Sequence, residues 1–142
     1  MYIKIADIND LENLYELNKL FENETTKEQM EKYIKQNNHE IICIAYLDNI
    51  AVGYCTGLII KSVCYKNCRV DIESLFVKVE YRRKGIGKAL MTFMEKEAIS
   101  RNILHFHIIT NKKNGNTVKF YENIGYTQTE EILLDKTYIN NK

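Results

Sequence analysis

Residues 82 to 88 read Arg82-Arg83-Lys84-Gly85-Ile86-Gly87-Lys88, four cations and two glycines in seven positions. Glycines at that spacing let a backbone come close to a ligand and take turn conformations that a side chain would block. A helix-periodic apolar run follows (Ile86, Leu90, Phe93, Met94 and Ala98), so the segment opens a helix. The first N–H groups of a helix, together with its dipole, favour an anion. The chemistry implied is the holding of a phosphate-bearing ligand. Two familiar nucleotide signatures fail here on named residues. A Walker-type loop needs Ser or Thr after its Gly-Lys, but Ala89 follows Lys88, and Arg82 stands where the earlier glycine belongs. The dinucleotide fingerprint needs a third glycine where Leu90 stands. Taken alone, the segment also fits a tight strand-to-helix turn with a solvated basic rim.

The elements that position this loop follow from periodicity. Tyr2 to Ala6 reads as a strand. Asn9 and Glu12 match a capping box ahead of Leu11, Leu14, Leu17 and Phe21 at helical spacing. Thr26 and Gln29 repeat the capping signal before Met30, Tyr33 and Ile34. Ile41–Tyr46 and Ile50–Ile60 form a hairpin about Asp48-Asn49, and Arg69–Val77 is the third strand of the meander. After the central helix, ended by Arg101-Asn102, come a strand over Ile103–Ile109 and a helix over Asn114–Asn123. Gly125 stands where helices commonly stop, and one or two closing strands are expected from Thr127 to Tyr138. The order β-α-α-β-β-β-α-β-α-β-β implies a mixed sheet with helices on both faces, in the α/β or α+β class. The crossover through the central helix should be parallel.

Two segments resemble the GNAT superfamily of N-acetyltransferases. Glu73-Ser74-Leu75-Phe76-Val77 followed by Tyr81-Arg82-Arg83-Lys84-Gly85-Ile86-Gly87-Lys88-Ala89-Leu90 looks like its motif A. Asn114-Gly115-Asn116-Thr117-Val118-Lys119-Phe120-Tyr121-Glu122-Asn123-Ile124-Gly125-Tyr126 looks like its motif B. The resemblance implies a single domain over 1–142 with the GNAT fold. That fold is a mostly antiparallel sheet of six to seven strands with about four helices, and two of its parallel strands splay at the cofactor site. It also implies acetyl-CoA as acyl donor. The pyrophosphate would lie on backbone N–H groups from Arg83 to Lys88, with Arg82 at the head of the motif. The pantetheine arm would pair with backbone at Phe76 and Val77. Asn114 matches a position that hydrogen-bonds the arm, and it is also a plain helix N-cap. Tyr121 matches the family's general acid, and Glu73 a glutamate that many members carry as base. The chemistry is consistent with this: amide formation from a thioester needs a proton removed from the amine and one supplied to the leaving thiolate. Val79, Arg83 and Thr117 depart from the family's usual proline, glycine and alanine. A side chain at Arg83 is expected to require an ordinary backbone conformation.

Composition narrows the remaining classes. The chain has 142 residues, 45% of them hydrophobic, with a net charge of +1. That balance gives no global attraction to nucleic acid or to anionic membranes. No run reaches the roughly 18 apolar residues of a membrane span. The N-terminus shows no signal-peptide pattern, so a cytoplasmic location is the default. Cys43 and Cys55 lie in apolar strands, and Cys64 and Cys68 lack zinc-ligand spacing. His105 and His107 alternate on a strand without a third ligand, so no metal is expected. No cysteine falls in either motif, which implies direct transfer without a thioester-linked enzyme. The acceptor is an amine of a small molecule or peptide whose identity the residues do not specify, and a homodimer stays open. The competing readings are a non-catalytic CoA-binding sensor or scaffold and a nucleotide-binding switch.

Overall fold

Strand β1 (Tyr2–Ile5) leads through a short 3-10 turn into helix α1 (Leu11–Leu20), and α2 (Lys27–Lys35) follows. The computed structural model describes residues 1–37 and 39–139. Strands β2 (Glu40–Leu47), β3 (Ile50–Ile60) and β4 (Arg69–Val77) form the meander. Helix α3 (Ile86–Ser100) crosses to β5 (Phe106–Ile108), and α4 (Gly115–Asn123) comes last. Residues up to Ile109 form one compact unit, and those from Thr110 onward form a second.

In the first unit the sheet order is β1-β2-β3-β4-β5. All neighbours are antiparallel except β4 and β5, which are parallel, as the crossover requires. The β2–β3 hairpin turns on Asp48 and Asn49, both left-handed (φ 50° and 65°), the signature of a two-residue turn whose twist matches the strands. Alternation along the strands divides the core. Ile42, Ile44, Tyr46, Tyr54 and Phe76 pack with Leu14 and Leu17 of α1. Cys43, Cys55 and Val70 are buried on the opposite side with Leu90, Met91 and Met94 of α3. There the contact is tight: Cys55 Sγ lies 3.7 Å from Met91 Sδ, and a Cβ on Gly57 would stand 2.5 Å from Val70.

Helix ends follow local chemistry. Thr26 caps α2, accepting from the Gln29 N–H at 3.1 Å, as expected. The capping box expected at Asn9 and Glu12 forms two residues earlier. Asp7 accepts from the Asn9 N–H at 2.8 Å, and Asp10 accepts from the Asp7 N–H at 2.9 Å. The 3-10 turn ahead of α1 explains the shift, because it moves the first unsatisfied N–H groups upstream. Helix α1 ends in a Schellman motif: Glu22 N–H donates to Lys19 O (2.9 Å) and Asn23 N–H to Asn18 O (3.2 Å), with Glu22 at φ 64°.

The second unit contains α4 and no strand among its described residues. The sheet therefore has five strands, not six to seven, and the closing strands expected after Thr127 are not formed. The apolar run there is confined to Ile132-Leu133-Leu134 between Glu130-Glu131 and Asp135-Lys136. A segment that short becomes a strand only through a ladder partner, and none pairs with it among the described residues. Among the described residues no helix is long and apolar enough to cross a membrane.

The buried Asp10 carboxylate, 4% exposed, ties the N-terminal elements together. It accepts from Lys4 Nζ at 2.7 Å and from the Tyr46 hydroxyl at 2.6 Å. Burial alone would raise its pKa, but these bonds and the Asp7 N–H outweigh it and hold the group below the ordinary aspartate value. A depressed folded pKa contributes stability above the unfolded value, which is lost as pH falls below about 4. Asp10→Asn should cost about 1.5–3 kcal/mol at neutral pH and flatten that acid dependence, as read by urea melts from pH 7 to 3.

Candidate active site

The loop between β4 and α3 is built by backbone turns. A 3-10 turn over Val79–Tyr81 follows β4, with Tyr81 N–H donating to Lys78 O at 2.9 Å. Gly85 then caps α3 in the left-handed region (φ 82°), with open space where a Cβ would stand, so its requirement is conformational. Ala89 N–H closes onto Gly85 O at 3.0 Å. The amides of Ile86, Gly87 and Lys88 thus precede the helical ladder and point toward the loop. Buried Ile86 anchors this first turn to the core.

The four cations of the loop divide in role. Arg82 Nε donates to Val77 O at 2.7 Å, and its guanidinium lies 5.6 Å from the Phe76 ring centroid. Lys84 Nζ sits 5.6 Å from the Tyr81 ring centroid. These two side chains brace the loop against β4 and its own turn. Arg83 and Lys88 are exposed. The expected ordinary conformation of Arg83 is not observed: its φ is 61°, in the left-handed region where the family's usual glycine would be at ease. Its side chain is exposed.

Beside the loop, β4 changes partners. It pairs with β3 through Val77↔Gly53, but with β5 only through Ile72↔Ile108. Beyond Ile72 the parallel strands separate, and among the described residues no strand pairs with that edge at Phe76 and Val77. The ladder to β3 is interrupted at the same point. Thr56 pairs with Ser74 and Gly57 with Ile72, which leaves Glu73 as the extra residue of a β-bulge. Glu73 is exposed there. Its carboxylate also acts on Glu40 of β2, whose pKa is raised by burial first; His39 lowers it and Glu73 raises it.

In the second unit, Asn114 Oδ1 accepts from the Thr117 N–H at 3.3 Å and so serves as N-cap of α4. Helix α4 ends in a Schellman motif, with Gly125 at φ 106° and Tyr126 N–H donating to Tyr121 O at 3.0 Å. The Tyr121 ring is half-buried between Phe120 (5.1 Å) and Tyr126 (5.8 Å), the second being the side-chain contact that usually accompanies this motif.

The remaining candidates are accounted for. All four cysteines are free. Burial pushes the Cys43 thiol up to about 12 and Cys55 well above its ordinary value, so neither presents a thiolate. The rings of His105 and His107 pack edge to face at 4.6 Å, with His107 Nδ1 3.9 Å from Asp71. Among the described residues no three His, Cys, Asp or Glu side chains converge as a metal site would require. One polar network went unread. The Tyr54 hydroxyl donates to Asn18 Oδ1 at 2.9 Å, and Asn23 Nδ2 donates to the same oxygen at 2.9 Å. Its signal was Asn18 itself, four residues after Leu14 on the inward stripe of α1.

The sequence profile of the Acetyltransferase (GNAT) family matches residues 8–126. The chain belongs to this family. An L-ornithine N5-acetyltransferase of Arabidopsis thaliana is 39% identical over 54 residues, 38% of this chain and 24% of that protein. The match thus spans under two thirds of the plant protein's length. An aminoglycoside N(6')-acetyltransferase type 1 of Salmonella typhimurium is 23% identical over 103 residues, 70% of this chain and 71% of that one. The fold is that of an aminoglycoside acetyltransferase from an uncultured soil metagenomic sample. The TM-score is 0.85 at 21% identity, covering 98% of this chain and 96% of that one.

The loop's two left-handed residues yield substitutions of opposite sign. Gly85→Ala should destabilise by about 1–2 kcal/mol, the cost of a Cβ in that region. Arg83→Gly removes the same strain at some cost in chain entropy and should stabilise by up to about 1 kcal/mol, while Arg83→Ala stays neutral. Chemical denaturation of the three variants checks the order.

Proposed function

We propose that this GNAT protein transfers the acetyl group of acetyl-CoA to a primary amine of a small molecule or peptide. The observation that carries this reading is the α3 N-terminus and its exposed cations beside a strand edge that β5 has left unpaired. A ligand with a pyrophosphate at one end and amides along its arm matches that pair of features. The amides from Arg83 to Lys88, with Gly85, Ile86 and Gly87 at their centre, would hold the pyrophosphate. Arg83 and Lys88 add charge, and Arg82 and Lys84 keep the loop in shape. Backbone groups of Phe76 and Val77 would bind the arm as an added strand does. Acetyl-CoA supplies an activated acyl thioester.

Glu73 is the base, direct or through water, that takes the proton from the incoming amine. Its position on a bulge, exposed beside the open edge, suits that task. Tyr121 is the acid that protonates the leaving sulfur, and Asn114 contacts the arm; both roles rest on motif B. No covalent enzyme intermediate is invoked, in keeping with the buried, protonated Cys43 and Cys55. The named relatives act on ornithine or aminoglycosides, both amine-bearing small molecules. We take 1–142 as one functional domain, since the family profile runs across both units. Four unpaired cysteines suit the cytoplasm, and a homodimer is compatible with the reading.

A panel of amines incubated with acetyl-CoA, with released CoA as signal, tests the activity. Turnover with none, together with no acetyl-CoA binding, would overturn it. Gly87→Glu sets a carboxylate against the pyrophosphate and should abolish binding of acetyl-CoA in calorimetry while the fold persists. Glu73→Gln should lower turnover more than cofactor affinity and remove the acidic limb of the pH–rate profile, where a base loses activity by protonation. An unchanged profile would reduce Glu73 to positioning the acceptor. Tyr121→Phe keeps the ring and should lower turnover roughly tenfold to several hundredfold, with acetyl-CoA affinity and thermal stability little changed.

A further inference from the structure

The face of the sheet opposite α3 carries a stack of aromatic groups that the proposed chemistry has not used. Phe21, the C-cap residue of α1, stacks on Phe76 with centroids 5.2 Å apart and an interplanar angle of 26°. It meets Tyr54 edge-on at 6.3 Å. The Arg82 guanidinium lies over the same Phe76 ring, so the stack runs from the phosphate loop to the end of α1. Phe76 and Tyr54 are buried, whereas Phe21 is 37% exposed.

Phe21 is also held in place. The Schellman motif fixes the backbone on its C-terminal side, with Glu22 forced left-handed. Asn18 Oδ1 then gathers the Tyr54 hydroxyl and Asn23 Nδ2, each at 2.9 Å, and links the α1 end to β3. Burial pushes the Tyr54 phenol up to about 12, so it remains a neutral donor across physiological pH. On a backbone so fixed, and packed against Phe76 and Tyr54, the ring acts as a wall.

Resting on the acyl-transfer reading above, we infer that Phe21 sets the size of the acyl group that the site accepts, favouring acetyl over longer chains. The α3 face of the sheet is filled, so acyl group and amine meet on the α1 face. On that face the open β4 edge has a polar end at Glu73 and an apolar end at Phe76. An amine whose proton leaves for Glu73 occupies the polar end. The carbon tail of the acyl group then lies toward Phe76, where Phe21 closes the space. Phe21 is a specificity-determining residue in this arrangement and takes no part in proton transfer.

Calorimetric titration of acetyl-CoA, propionyl-CoA and butyryl-CoA into the parent protein and Phe21→Ala tests this without knowledge of the acceptor. The parent should bind acetyl-CoA more tightly than butyryl-CoA by roughly tenfold or more, and the variant should erase about a tenfold share of that preference. Phe21→Leu, which retains apolar packing, should fall between them and is read in place of Phe21→Ala if the latter loses its fold. Equal affinities in the parent, or a folded variant with the parental ratio, would overturn the inference while leaving acyl-CoA binding intact. Binding of none of the three thioesters would overturn the functional reading itself.

Discussion

Strand β4 pairs with β3 from Arg69 to Val77, interrupted only by the bulge at Glu73, but with β5 only as far as Ile72. A parallel pair is joined by a crossover, here through α3, which follows β4 after the loop. The divergence leaves backbone donors and acceptors of β4 without a ladder on one side. Such an edge normally invites another chain or must be blunted. In this fold it lies next to a helix N-terminus whose amides also precede their ladder. Two sets of backbone groups outside any ladder, of different geometry, thus adjoin each other, and Arg82 Nε caps one of them by donating to Val77 O. The bulge at Glu73 belongs to the same event. The extra residue falls where β4 loses its second partner, and it leaves that carboxylate exposed beside the open edge.

The two faces of the sheet contribute differently. Against α3 the packing is close enough that glycine is required opposite Val70 and Met94, and the thiols there stay protonated. That side supplies rigidity. Against α1 and α2 the core is aromatic and includes polar groups, each hydrogen-bonded: Asp10 with Lys4 and Tyr46, Asn18 with Tyr54 and Asn23. Buried polar groups are costly unless partnered, and once partnered they specify a geometry that apolar packing leaves loose. The ends of α1 are set by these two networks.

Much of this was legible in the residue order, and the failures have physical causes. The hairpin at Asp48-Asn49, the Thr26 cap, the Arg101-Asn102 stop and the loop before α3 are local signals, carried by turn chemistry within a few residues. The closing strands do not form because the short apolar run Ile132-Leu133-Leu134 states only a propensity, and strand formation depends on a partner distant in sequence. The capping box was misplaced by two residues because Asp7, Asn9 and Asp10 are all competent caps, and tertiary contacts to Lys4 and Tyr46 choose among them. The Glu73 bulge and the Ile72 limit of β4–β5 pairing depend on register, which no single segment encodes. For Arg83, an ordinary conformation was the reasonable steric expectation. The turn imposed the left-handed one on an exposed residue.

That last case bears on how a chain of net charge +1 would hold a polyanion. Four cations surround the loop, but two are engaged: Arg82 on a carbonyl and a ring, Lys84 on a ring. Exposed cations act over about a Debye length, roughly 8–10 Å at physiological salt, and weaken as salt rises. Backbone amides at a helix start carry no titratable proton and lose little to screening once a ligand covers them. In the proposed reading the cations would draw a phosphate toward the loop, and the amides would define where it rests. The left-handed turn at Arg83 and Gly85 orients those amides, so on that reading backbone conformation, more than charge count, would determine the site.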